Sequence, residues 1–169
     1  MERSVIMVAT RLKEPPRPSP DAVCRMLASD ADWAAAADLH SAEDDSTDPA
    51  EPGGYEQRRM AARRAQQEAG LGGWFGAFVD GEMLCGLGLF TNGAGLGRFQ
   101  SVDTVESARR RGLASILLHH ASLVGQQIFG IREVVIVADP DYSAIRMYRS
   151  LGFEGSEIQI QLARPVPGP

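Results

Sequence analysis

Between Gly73 and Val105 the chain reads GWFGAFVDGEMLCGLGLFTNGAGLGRFQSVDTV, apolar runs interrupted at Asp80-Gly81 and at Asn92-Gly93. Both dipeptides tolerate the positive φ angles that tight hairpins require. Three antiparallel strands are therefore predicted, over 73–79, 82–91 and 96–105. A meander of this length buries at least one face, so the flanking segments have to supply its cover.

The flanks do so with alternating elements. Val5 to Ala9 reads as a strand, ended by the proline-dense KEPPRPSP, an extended connector. AVCRML (22–27) reads as a second short strand. SDADWAAAADLHSA offers Ser29, Asp30 or Asp32 as N-cap to an alanine-rich helix. The acidic, proline- and glycine-containing EDDSTDPAEPGG is a loop. Tyr55 to Ala69 is a polar helix stopped by Gly70. Beyond the meander, Leu113, Leu117, His120 or Ala121, and Val124 recur at helical spacing over 112–126. EVVIVA (133–138) suits a strand buried on both faces. Asp139-Pro140 is read as the cap and first position of a helix running to Leu151 and stopped by Gly152. EIQIQL (157–162) alternates as a half-exposed strand. The expected fold is α/β (α+β), a mixed, largely antiparallel sheet with helices packed on it.

At 169 residues, 44% hydrophobic and 23% charged, the chain fits one soluble globular domain. A net charge of -5 argues against nucleic-acid partners, which require a basic face. SVIMVA is too short to span a membrane and lacks a cleavage signal, so no membrane partner and a cytoplasmic location are expected. Cys24 and Cys85 stand at no metal-ligand spacing and read as buried free thiols. Adjacent His119 and His120 lack ligand-spaced partners, so no metal is expected. His40, near the end of its helix, reads as complementing the helix dipole.

One stretch carries chemistry. In ESARRRGLAS (106–115), three arginines run into Gly112 where a helix begins. The first amides of a helix have no internal acceptor and point outward, and the helix dipole adds partial positive charge there. A phosphate at this point would accept several backbone N–H bonds, Gly112 would let it approach without a Cβ in the way, and Arg109 to Arg111 would balance its charge. Neither Walker nor G-x-G-x-x-G spacing is present.

RRRGLA (109–114) resembles the R/Q-x-x-G-x-G/A pyrophosphate motif of the GNAT superfamily, the acyl-CoA-dependent N-acyltransferases. Downstream, DYSAIRMYRSLGF (141–153) is similar to that family's N-x-x-A-x-x-x-Y-x-x-x-G-F helix, with Ala144, Tyr148, Gly152 and Phe153 in register. The order of elements from Ala22 to Leu162 also fits.

The resemblance implies a fold in which two parallel strands, 96–105 and 133–138, splay to admit the cofactor arm. It implies acetyl-CoA as co-substrate, with Val102, Asp103 and Thr104 meeting the pantetheine arm. Arg109, Arg110, Arg111, Gly112, Leu113 and Ala114 would wrap the pyrophosphate. Tyr148 would give a proton to the departing thiolate, as a phenol can. Three positions depart from the pattern. Glu106 stands where proline is common, Ala108 replaces a frequent aromatic, and Asp141 replaces the asparagine that helps hold the cofactor arm. The general base stays open among Glu106, Asp103, Glu133 and a water chain.

The chain is thus expected to be an N-acetyltransferase acting on a primary amine of a small molecule or peptide, by direct attack. The alternative is a non-catalytic CoA-binding module of the same fold. Homodimers are common among similar proteins. Residues 18–169 are taken as the acetyltransferase domain and 1–17 as an N-terminal strand with its connector. The first strand, ERSVIMVATR, is loosely like EGSEIQIQLAR at the other end, so that it either echoes a lost repeat, offers an edge to a partner, or matches by coincidence. The acidic loop, with Glu43, Asp44, Asp45, Asp48 and Glu51, is read as solvated, in a region that borders the acceptor site in similar proteins.

Overall fold

The computed structural model describes residues 2–17, 19–43, 54–140 and 143–161. Its elements are β1 (Glu2–Ala9), β2 (Val23–Met26), α1 (Asp30–Glu43), α2 (Gly54–Glu68), β3 (Gly72–Val79), β4 (Glu82–Thr91), β5 (Leu96–Thr104), α3 (Leu113–Ile128), β6 (Glu133–Ala138), α4 (Ala144–Ser150) and β7 (Glu154–Gln161), with a 3-10 turn at Glu106–Ala108. The strands form one seven-stranded sheet in the order β2-β3-β4-β5-β6-β1-β7, parallel only between β5 and β6.

The meander β3-β4-β5 forms as its turn residues direct. Asp80 and Gly81 both adopt positive φ, so a two-residue turn joins Val79 to Glu82. The second hairpin closes through a longer loop, where the Asn92 side chain accepts hydrogen bonds from the Ala94 and Leu96 amides. Alternation along these strands divides the core between the two faces. Phe75, Ala77, Cys85, Leu87, Leu89 and Phe99 pack with Leu113, Leu117 and Leu118 of α3 and with Ile145 and Tyr148 of α4. Trp74, Phe78, Met83 and Phe90 pack on the other face with Trp33, Ala36, Ala37 and Leu39 of α1 and Met60 of α2. Helix α1 starts in a capping arrangement: the Ser29 hydroxyl accepts from the Asp32 amide, and the Asp32 carboxylate accepts from the Ser29 and Ala28 amides.

Two elements differ from the sequence expectation. Helix α4 begins at Ala144 after Ser143, not at Asp139-Pro140, because Pro140 lies in a turn that follows β6. Strand β7 begins at Glu154 rather than 157. A bulge at Ser156, between the Ile6–Glu157 and Met7–Gly155 pairs, breaks the alternation that marked its start. It is also exposed along 154–160 instead of half-exposed, since it is the outermost strand and no helix among the described residues covers it.

Strand β1 lies inside the sheet. It pairs antiparallel with β6 from Val5 to Ala9 and with β7 from Glu2 to Val8. The two strands of similar sequence are therefore direct neighbours, and Met7, 1% exposed, belongs to the core.

Candidate active site: a splayed strand, an arginine turn and a buried polar network

Strands β5 and β6 pair only from Leu96–Glu133 to Arg98–Val135. Beyond that point β5 stays bonded to β4 as far as Thr104, while its other edge has no strand partner among the described residues. Backbone groups on such an edge are available to a ligand in extended conformation. Residues 101 and 102 together oppose Leu87, a bulge in which Ser101 takes φ 48°. A non-glycine residue with positive φ inside a strand is strained, and such strain concentrates at functional sites. Val102, Asp103 and Thr104 all lie on this freed half of β5.

The strand exits through Val105 and the 3-10 turn, where Ala108 is 2% exposed and packs in the core, a place too tight for an aromatic ring. Arg109 to Gly112 follow, and the Arg109 Nε donates to the Thr104 carbonyl at 3.3 Å. Arg110 and Gly112 both have positive φ, the kind of backbone in which successive N–H groups can form an anion-binding concavity. A cavity of about 480 Å³ opens between this turn, α3 and α4. Thr104, Arg109, Arg110, Gly112, Leu113 and Ala114 line it, whereas Arg111 is exposed and is not one of its walls. Arg17 and Arg146 also line it, and among the described residues no acidic side chain does. Sequence reasoning missed both. Arg17 stood in a proline-rich connector whose path no local signal gives, and Arg146 lay unremarked two positions before Tyr148.

Gly112 also has a structural reason. A Cβ there would stand 3.0 Å from the Arg17 carbonyl oxygen. With φ at 82° as well, the glycine is required by the turn and by the connector packed on it.

Helix α4 explains the Tyr-x-x-x-Gly-Phe spacing. The Gly152 amide donates to the Arg149 carbonyl and the Phe153 amide to the Tyr148 carbonyl, the paired bonds of a Schellman stop, with Gly152 at φ 95°. Tyr148 is 7% exposed, and its ring meets Phe153 edge-on at 5.9 Å. Asp141 lies outside the described residues, as do Asp44, Asp45, Asp48 and Glu51 of the acidic loop.

The α1/α2 side of β5 holds a second group of polar residues. His40 of α1 sits with Nδ1 2.6 Å from Asp103 Oδ2 and with Nε2 2.7 Å from Nη1 of Arg59 on α2. Arg59 also donates through Nη2 to the Ser101 hydroxyl at 3.3 Å. Glu56, 2% exposed, places Oε1 3.6 Å from Arg59 Nη1 and Oε2 3.7 Å from His40 Nε2. That Oε2 is the one buried side-chain oxygen or nitrogen among the described residues with no hydrogen-bond partner. The Asp103 carboxylate raises the pKa of His40, opposed by burial and by the charge of Arg59. Of the residues considered as bases, Glu106 is exposed in the 3-10 turn and Glu133 is exposed at the paired end of β6, opposite Leu96; Asp103 alone enters a network. His40, Glu56 and Arg59 carry no sequence signal of this contact, since 63 residues of chain separate His40 from Asp103.

The thiols are un-ionised. Burial pushes Cys85 up to about 12 and Cys24 up to about 11. Among the described residues no three His, Cys, Asp or Glu side chains are placed to hold a metal ion, and no helix is long and apolar enough to cross a membrane.

The model of the acetyltransferase (GNAT) family matches residues 33–153. No curated protein matches the sequence. Among solved structures, a GCN5-related N-acetyltransferase from Kribbella flavida superimposes with a TM-score of 0.64 at 20% identity, covering 92% of this chain and 55% of that one. The present chain thus spans little more than half the length of that relative. The aminoglycoside antibiotic 6'-N-acetyltransferase AAC(6')-IG from Acinetobacter haemolyticus gives 0.67 at 20% identity, covering 86% of this chain and 99% of that one. AAC(6')-Iy in complex with the bisubstrate analog CoA-S-monomethyl-acetylneamine gives 0.69 at 17% identity, with coverage of 86% and 99%.

Proposed function

The chain belongs to the acetyltransferase (GNAT) family, and from that premise we propose that it transfers an acetyl group from acetyl-CoA to a primary amine by direct attack, without a covalent acyl-enzyme. One observation carries the reading: the freed edge of β5 runs straight into a turn whose cavity is lined by Arg17, Arg109, Arg110 and Arg146 and, among the described residues, by no acid. An extended arm along the strand, ending in phosphates at the turn, matches that layout in shape and in charge.

Acetyl-CoA, when bound, supplies a thioester carbonyl open to attack and a thiolate leaving group. The chain's own residues then have three tasks. Backbone groups of Val102 to Thr104 hold the pantetheine arm in line, which converts a bimolecular encounter into a positioned one. The arginine turn neutralises and fixes the phosphates. Tyr148 protonates the departing thiolate. The un-ionised Cys85 and Cys24 support direct attack, because neither is an activated nucleophile. The two aminoglycoside acetyltransferases that share the fold make a polyamine-like acceptor a reasonable first class to try.

The test is release of free thiol from acetyl-CoA. Release that depends on added primary amine supports the reading. Tight binding of acetyl-CoA with no release across a broad amine panel would contradict it in favour of a CoA-binding module.

A further inference from the structure

We propose that His40 is the proton acceptor for the attacking amine, held in its tautomer by Asp103 and counterbalanced by the unpartnered carboxylate oxygen of Glu56. The proposal rests on the acetyltransferase reading and specifies its acceptor side.

An acceptor amine is an ammonium at neutral pH and has no lone pair for attack until it loses a proton. Two side-chain positions on β5 face the helices at the freed part of the strand: Ser101 at the bulge and Asp103 beyond it. Thr104, the next residue, lines the cofactor cavity. Asp103 therefore turns away from the cofactor side and toward His40. The contact of 2.6 Å to Nδ1 fixes the proton there and leaves Nε2 with a lone pair. Arg59 can only donate, and its Nη1 lies 2.7 Å from Nε2, so in this arrangement Nε2 accepts and the imidazole is neutral. A cationic N–H already occupies the position that a substrate ammonium N–H would take.

The charges around the ring fit a group that gains a proton. Asp103 on β5 and Glu56 on α2 are acidic, Arg59 on α2 is basic, Arg63 lies close enough to Arg59 for mutual repulsion, and Cys85 on β4 is a neutral thiol. With neutral His40, the two carboxylates, Asp103 and Glu56, outnumber the one guanidinium beside the ring, that of Arg59. A proton on Nε2 balances the group, and Glu56 Oε2, 3.7 Å away and without a hydrogen-bond partner, is placed to accept it. A buried carboxylate oxygen left without a donor is costly unless some state of the protein uses it. In the reaction, the ammonium N–H bond breaks and an N–H bond forms at Nε2. The freed lone pair attacks the thioester carbon. Tyr148 gives its proton to the departing thiolate, the second amine proton leaves as the amide forms and restores the Tyr148 phenol, and His40 returns its proton to solvent.

The test uses the full chain, acetyl-CoA and two probes: ethylamine, a cation at neutral pH, and hydroxylamine, which is uncharged there. His40→Gln is expected to slow ethylamine acetylation about a hundredfold and to leave hydroxylamine within about twofold. Equal losses with both probes, or none, would overturn the role of His40. In Glu56→Gln the pKa of His40, read by nitrogen NMR of the imidazole, should fall by about one unit, because one of two neighbouring carboxylates is gone. The rising limb of the ethylamine pH profile should move to lower pH with it. An unchanged imidazole pKa would overturn the counterion role whether or not ethylamine is a substrate. Wild type that binds acetyl-CoA but turns over neither probe would contradict the acetyltransferase reading, and the proposal would fall with it.

Discussion

The carbonyl oxygen of Arg17 lies 3.0 Å from the point where a Cβ on Gly112 would stand. The N-terminal connector is thus packed on the turn that begins α3, and the cavity beyond is walled by both. Gly112→Ala forces a side chain into a left-handed conformation and against a backbone atom. The expected cost is about 1–3 kcal/mol, seen as a melting temperature lowered by several degrees, together with weaker acetyl-CoA binding in calorimetry. A variant that melts and binds like wild type would show that the contact is slack.

The connector follows a strand paired on both edges. Removing residues 1–9 would strip β6 and β7 of their shared partner and expose Val134, Ile136 and Phe153 in the core. The shortened chain is expected to lose cooperative unfolding in circular dichroism. A truncation with unchanged melting would mean that β6 and β7 close on each other without β1.

Tyr148 bears on mechanism and fold together. Its ring packs on Phe153 while its carbonyl accepts the Phe153 amide, so Tyr148→Phe keeps the helix stop. Turnover should fall by about tenfold or more, with acetyl-CoA affinity changed less than twofold. Equal falls in both would remove the acid role and leave a packing residue.

Acid sensitivity should trace to the start of α1. The Arg25 guanidinium at 2.7 Å, and after it the Ala28 and Ser29 amides, hold Asp32 well below the usual carboxylate range. A carboxyl depressed on folding contributes stability above its unfolded pKa and loses it as pH falls through the folded one. Melting temperature should therefore drop steadily below about pH 4. Asp32→Asn should cost about 1–2 kcal/mol at pH 7 and flatten that slope. A wild-type slope retained in Asp32→Asn would assign the sensitivity to other acids.

Local chemistry made much of this architecture legible in the sequence. Asp80-Gly81 turned the chain where a positive-φ pair must, EVVIVA formed the strand over 133–138, and Gly152 stopped α4. What stayed hidden depends on contacts distant in sequence. Nothing in ERSVIMVA says that it enters between β6 and β7, because alternation gives a strand its faces and not its neighbours. Arg17 reached the cavity, and Asp103 reached His40, through tertiary packing alone. At Asp139-Pro140 two local signals suited a helix start and a turn equally, and the turn formed.

The proposed activity requires that main-chain amides of the arginine turn hold the phosphates of acetyl-CoA. Amide NMR during titration with acetyl-CoA measures this directly. Saturable shifts are expected, concentrated at Arg110 to Ser115 and along Val102 to Thr104, with a dissociation constant that calorimetry reproduces. Shifts absent from these residues, with binding either lost or located elsewhere, would contradict it.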